Sequence, residues 1–237
     1  MKRRITKISL TDRRGVLLQP LKTAILADLH NGPFDDLLPH LRGLDCLLVP
    51  GDLVNRHQHR QDSALRFLEE APKIAPVYYS LGNHELRLDG AEAWMDAVRR
   101  SRVILLDDRC ESFRGDVNIG GVSSRWRDAP STAGIEALSA APGFRLLLCH
   151  HPEHFSAYVQ EHGMDLAIAG HAHGGQIQLF GHGLYAPGQG LFPRLTDGFY
   201  FDKRLLVSRG LTNSTVPPLP RWGNPCELIL LTIQPKT

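Results

Sequence analysis

The amino-acid sequence predicts an α/β fold, a four-layer α-β-β-α sandwich in which two packed mixed sheets are flanked by helices. Three observations carry that expectation. Short apolar runs of buried-strand length alternate with stretches of helical spacing through the first half of the chain. The second half is richer in short β candidates, separated by Gly and charged turns. No low-complexity linker or composition break divides the 237 residues, so a single domain over residues 1–237 is expected, long enough for a well-filled core.

The elements follow in order. Residues 22–27 read as a buried strand that ends in Asp28-Leu29-His30-Asn31-Gly32, and Phe34 to Leu44 has helical spacing. Residues 45–50 form a second strand, ending in Gly51-Asp52, before a helix from Gln61 to Ala71. Residues 77–81 form a third, ending in Gly82-Asn83-His84-Glu85, with a helix from Ala91 to Arg100. Short strands are expected at 103–106, 110–113 and 117–122, then a helix between Thr132 and Ala141. Residues 144–149 end in His150-His151-Pro152 and lead into a helix over 153–161. Residues 165–169 form a strand ending in Gly170-His171-Ala172-His173, and the tail from Gly198 to Gln234 reads as strands joined by a Pro-rich loop.

Composition narrows the function classes. The formal charge is +2, with Lys and Arg scattered among nearly as many Asp and Glu, so nucleic acid is not expected as a partner. The one basic cluster, Lys2-Arg3-Arg4 with Arg13-Arg14, reads as a solvated N-terminal strand region. The four cysteines are far apart and form no CxxC pair, and Cys46 and Cys149 sit inside apolar runs like buried free thiols. No run of about 18 apolar residues suits a transmembrane helix, and no apolar stretch follows the basic N-terminus as in a signal peptide. A cytoplasmic protein is expected, with peripheral membrane contact left open.

The chemistry is in the strand ends. Five separate apolar runs each stop at a cluster containing Asp, Asn or His. Ligands of open α/β sheets bind at the carboxyl ends of strands, so clusters remote in sequence can converge on one site. Carboxylate and amide oxygens with imidazole nitrogens, and no thiolate, form a donor set suited to Mn, Fe or Zn.

Asp28-x-His30, Gly51-Asp52, Gly82-Asn83-His84-Glu85, His150 and Gly170-His171-x-His173 resemble, in order, the five motifs of the calcineurin-like metallophosphoesterase family. The likeness extends over roughly residues 22–233, and residues 170–177 with 207–211 further resemble a bacterial phosphodiesterase subgroup carrying a GHxHGGQ motif. That subgroup often has an N-terminal membrane anchor, and no such apolar run precedes Asp28 here. The resemblance implies hydrolysis of a phosphodiester or pyrophosphate bond in a small phosphorylated substrate, by attack of metal-bound hydroxide. It implies two divalent cations, Mn²⁺ first and Fe or Zn otherwise. Asp28, His30 and His173 would bind one cation and Asn83, His150 and His171 the other, with Asp52 between them. His84 would face the phosphate as the catalytic residue and Glu85 would orient a ligand. Either of His150 and His151 could be the ligand, and the family pattern favours His150. A nuclease or a protein phosphatase on the same fold, or a non-enzymatic metal-bound scaffold, are the competing readings.

The remaining candidates are weaker. His57 and His59, with Arg56 and Arg60, read as a solvated loop or as a rim for an anionic substrate. His40, His154, His162 and His182 read as ordinary surface or core residues. Trp126 reads as core packing or exposure, with a pocket role as the alternative. Gly174 and Gly175 read either as turn glycines or as close approaches to a phosphate. Leu184 to Leu195, apolar and rich in Gly and Pro, reads as a structured loop, with lipid or partner contact as the lesser alternative.

Overall fold

A computed structural model describes residues 3–123, 130–213 and 220–236. Trp126 and part of the Pro-rich tail loop lie outside the described residues.

Buried parallel strands must be apolar on both faces, and the runs that ended in polar clusters are such strands. In the first sheet the order is β1-β16-β2-β3-β4-β5. Its members are β1 (Arg4–Thr11), β2 (Leu21–Ile25), β3 (Cys46–Val49), β4 (Val77–Tyr79), β5 (Ile104–Leu105) and β16 (Glu227–Gln234). The stretch β2 to β5 is parallel, while β16 runs antiparallel to β2 and parallel to β1. The second sheet has the order β14-β15-β9-β8-β7-β6. It contains β6 (Arg109–Arg114), β7 (Val117–Val122), β8 (Phe144–Cys149), β9 (Leu166–Ala169), β14 (Gly198–Tyr200) and β15 (Leu205–Val207). Here β7, β8, β9 and β15 are parallel, and both edge strands are antiparallel.

Side-chain alternation sorts the core into three layers. Leu21, Ile25, Cys46 and Leu48 of the first sheet meet Ile119, Leu146, Leu148 and Ile168 of the second between the sheets. Their neighbours Ala24, Leu47, Val49 and Val77 face outward onto Phe67, Leu68, Trp94 and Val98. These come from α2 (Asp62–Glu70) and α3 (Ala91–Arg100). On the far side Leu147, Cys149, Ala167 and Ala169 pack on Ile135 and Leu138 of α4 (Ala133–Ala140) and on Phe155 and Val159. The four-layer α-β-β-α arrangement is therefore present as expected.

Three local expectations change. The helix over 34–44 shrinks to one turn, α1 (Leu38–Leu41), because Pro39 sits in its first turn and Gly43 leaves helical space at φ 75°. The helix over 153–161 is a π-helical turn, Phe155–Val159, closed by a 3-10 turn, Gln160–His162. Arg3 is not solvated: its Nε donates to Leu211 O at 2.7 Å and its Nη1 to Asp36 at 2.5 Å, leaving it buried. Between β9 and β14 the chain forms two small hairpins, β10 (Gln178–Leu179) with β11 (His182–Gly183) and β12 (Tyr185–Ala186) with β13 (Gly190–Leu191). Among the described residues no helix is long and apolar enough to cross a membrane.

Candidate metal centre

The carboxyl ends of β2, β3 and β4 in one sheet and of β8 and β9 in the other open onto the same place. Asp28, His30, Asp52, Asn83, His84, His150, His171 and His173 are all buried there. Donor atoms of Asp28, His30 and His173 lie within 4.8 Å of one another, as do those of Asp28, Asp52 and His150. The same holds for His30, Asp52 and His84, and for His150, His151 and His171. All eight expected site residues are thus in one region, and Asn83 joins through His151, whose Nε2 is 3.3 Å from Asn83 Oδ1.

The backbone there is under strain. Asp28, His30, Asp52, His171 and His173 have φ between 47° and 64°, the left-handed region that non-glycine residues rarely visit. Each such residue costs on the order of 1–3 kcal/mol, and such strain gathers at functional sites where the surroundings enforce it. The enforcing contacts are visible. His30 N–H donates to Asp52 O at 3.0 Å and Asn31 N–H to Leu53 O at 2.8 Å, tying the two loops together. His84 N–H donates to Asp52 Oδ1 at 2.8 Å, and His171 N–H to both carboxylate oxygens of Asp28 at 3.1 Å. Gly82 permits this closeness, because a β-carbon there would lie 2.2 Å from Asp52 Oδ1.

Glu85 is the frame of the loop, as expected of an orienting residue. Its buried carboxylate accepts the amides of Asp52 at 3.0 Å, Leu53 at 2.6 Å, Val54 at 3.1 Å and Gly82 at 2.7 Å. His150 Nδ1 lies 2.8 Å from Pro50 O, and its Nε2 points at Asp52 Oδ2, 3.1 Å away. The carbonyl can only accept, so Nδ1 carries a proton. His84 has the opposite arrangement: Nδ1 accepts the Arg56 amide at 3.2 Å, which puts the proton of the neutral ring on Nε2. Nε2 stands 4.0 Å from Asp52 Oδ2.

Burial dominates the electrostatics. It drives the Asp28 carboxyl up to about 7 despite the nearby His150 charge, and the His30 imidazole down to about 3. Burial would raise Asp52 too, but the charges of His150 and His84 overcome it and hold that carboxyl well below its ordinary range. Burial would lower His150, yet Asp52 pushes it up to about 9. His171 and His173 are kept neutral by burial. Neither ring nitrogen of His30 has a hydrogen-bond partner among the described residues, although both are buried. A buried imidazole with neither nitrogen partnered, set beside two buried carboxylates, is what a divalent cation requires, so the residues fit metal.

Three residues escaped the sequence reading. Arg221 places Nη2 3.0 Å from His173 Nδ1 and donates to Thr212 O at 2.7 Å. Asn224 Nδ2 donates to the carbonyls of His173 at 2.7 Å and Gln176 at 3.1 Å, holding the loop after β9. Both lie about fifty positions from His173, with no local pattern to mark them. Glu153 sits beside Gly188 and close to His171. Of the others, His57 approaches the ring of His84 with centroids 5.7 Å apart, so the 55–60 loop borders the site, with Asn55 and Arg56 half-buried and residues 57–60 exposed. His154 packs behind His151, with centroids 4.9 Å apart. Gly175 serves packing: a β-carbon there would strike the Gly183 backbone at 2.3 Å.

Residues 21–175 match the model of the calcineurin-like phosphoesterases, and the chain belongs to that family, a class of metal-dependent hydrolases acting on phosphoester bonds. It is 27% identical over 188 residues to an uncharacterised metallophosphoesterase of Helicobacter pylori, covering 70% of this chain and 50% of that protein. It is 28% identical over 245 residues to an uncharacterised metallophosphoesterase of Campylobacter jejuni, covering 93% and 61%. The chain thus spans about half to three-fifths of the length of these relatives. The solved structure of Haemophilus influenzae NAD nucleotidase is similar over 65% of this chain and 38% of that one, with a TM-score of 0.44 and 16% identity.

Proposed function

We propose that this protein is a dinuclear metal-dependent phosphodiesterase, cleaving a phosphodiester or pyrophosphate bond in a small phosphorylated molecule. One observation carries the reading: Asp28, Asp52 and His150 form a single donor cluster that adjoins His30 and His173 on one side and His151 and His171 on the other. Asp28, His30 and His173 would hold one cation and Asn83, His150 and His171 the second, with Asp52 shared between them. Two cations bound in this way, Mn²⁺ first and Fe or Zn otherwise, would polarise a phosphoryl oxygen and acidify a water molecule.

The chain's own residues do the rest. The Pro50 carbonyl keeps the proton of neutral His150 on Nδ1 and so presents Nε2 as donor. His151 steadies the Asn83 amide, Asn224 and Arg221 steady His173, and Glu85 sets the loop of Asp52. His84 is the catalytic residue. With Nδ1 occupied by the Arg56 amide, its Nε2–H faces the centre, where it can donate to a phosphoryl oxygen or the departing oxygen. The chain works as a single domain over residues 1–237, and its four cysteines, widely spaced and with no CxxC pair, suit a reducing cytoplasm.

A panel of monoesters, diesters, cyclic nucleotides and nucleotide-linked sugars under one Mn²⁺ condition tests the substrate class. Diesters or pyrophosphates should turn over fastest. A clear preference for monoesters would overturn the phosphodiesterase assignment.

A further inference from the structure

The two hairpins between β9 and β14 carry an exposure unlike the rest of the described surface. Phe180 is 100% exposed, Phe192 76%, Leu191 74% and Trp222 64%. With Leu179 and Tyr185 they make six of the nine large exposed apolar side chains among the described residues, the other three being Leu18, Leu65 and Leu86, apart from one another in sequence. Isolated exposed leucines need no explanation, whereas a contiguous apolar patch does.

The six lie on neighbouring segments. Phe192 N–H donates to Leu184 O at 3.0 Å, Leu184 N–H to Ile177 O at 2.9 Å, and Gln178 N–H to Trp222 O at 2.9 Å. These bonds lay the segments side by side, with Phe180 at the β10–β11 turn. Phe180 and Phe192 also have φ of 52° and 53°. A bulky aromatic in the left-handed region is strained, and burial offsets nothing here because both rings stand in solvent. Residues 177–195 contain no Asp or Glu and expose His182 and Arg194, whereas Arg221 turns inward onto His173 and Thr212, and Asp197 accepts from Gln178 Nε2 at 2.6 Å.

We propose that this lobe is a docking surface for a lipid bilayer with anionic headgroups. Projecting aromatic tips, a flanking Trp and the exposed Arg194 match the acyl boundary and charge of such a surface. The lobe also forms the rim of the metal centre: a β-carbon on Gly188 would stand 3.6 Å from His171 Nε2, and Arg221 reaches His173. Docking therefore turns the centre towards the headgroup layer. The proposal is independent of the phosphodiesterase reading, because vesicle binding is measured without turnover.

The test is cosedimentation of the full chain with phosphatidylcholine vesicles and with mixed phosphatidylcholine–phosphatidylglycerol vesicles at low salt. The protein should pellet with the mixed vesicles, with a blue shift of Trp222 emission that Trp222→Phe removes. The double variant Phe180→Ser/Phe192→Ser should bind about tenfold more weakly or worse. Arg194→Gln should lose about fivefold, on the anionic vesicles only. Circular dichroism and hydrolysis of bis-p-nitrophenyl phosphate should match wild type in all three variants. Protein that stays in the supernatant with both vesicle types overturns the proposal, as does binding that survives the double substitution. A dimer in sedimentation velocity that the double variant dissolves would assign the face to a second copy instead, and would equally overturn it.

Discussion

The two sheets contribute unequally to the centre. From the first come every oxygen donor, Asp28, Asp52 and Asn83, together with His30 and His84; from the second come imidazoles alone, His150, His151, His171 and His173. The contributions touch at Asp52 and His150, 3.1 Å apart, at His171 N–H on the Asp28 carboxylate, also 3.1 Å, and at His151 Nε2 beside Asn83 Oδ1. The difference teaches that the centre is a property of the seam. Carboxylates buried in one sheet would carry an uncompensated charge without the other sheet's imidazoles, and against burial the Asp52 charge in turn pushes His150 up to about 9. The support differs as well. Glu85 stiffens the first sheet's loop from three positions beyond Gly82, whereas the second sheet's last loop is held by Arg221 and Asn224 from the tail.

Breaking the first sheet's share should have the largest effect. Asp52→Asn should reduce turnover to background and lower metal content by elemental analysis, whereas His171→Ala should remove metal from one position only. Next, His84→Ala should keep the metal and lose about 10²–10⁴-fold in turnover on bis-p-nitrophenyl phosphate. Loss of metal from that variant would move His84 into the ligand set. At the seam, Leu148→Ala should cost about 2–5 kcal/mol in urea unfolding, as large-to-small changes in a fully packed core do.

The pH dependence follows from proton competition. In the metal-free protein Asp28 keeps its proton up to about 7 and His150 up to about 9, and cations need both groups deprotonated. Mn²⁺ affinity should therefore rise with pH through that interval and fall on acidification, with proton release detected by calorimetry in buffers of different ionisation heat. The smallest effect concerns Cys46 and Cys149, one facing the seam and the other the outer helix layer. Burial pushes both thiols up to about 12, so both should resist alkylation at pH 8 until the protein unfolds.

Much of this was legible because the informative signals are local. Parallel strands buried on both faces read as unbroken apolar runs, and the donors follow within a few residues of the strand ends at Asp28, Asp52, Asn83, His150 and His171. Where long-range packing decides, sequence spacing misleads. Phe34 to Leu44 has helical periodicity, but Pro39 and Gly43 confine the helix to one turn. Arg3 looks like a solvated charge and is buried because Leu211 O and Asp36, over thirty residues away, receive its donors. Arg221 and Asn224 carry no motif, and their roles exist only once the tail crosses the loop after His173. The 184–195 segment, expected as a structured loop, carries the β12–β13 hairpin, and the exposure of Phe192 depends on what lies opposite it, which no periodicity encodes.

The most direct test of the seam-built centre is a titration of metal-stripped protein with Mn²⁺, following bound metal per chain and hydrolysis of bis-p-nitrophenyl phosphate together. Activity should be absent without metal and should climb to its plateau as two cations bind per chain. Full activity in excess chelator after complete metal removal, or a plateau reached with a single bound cation, would contradict it.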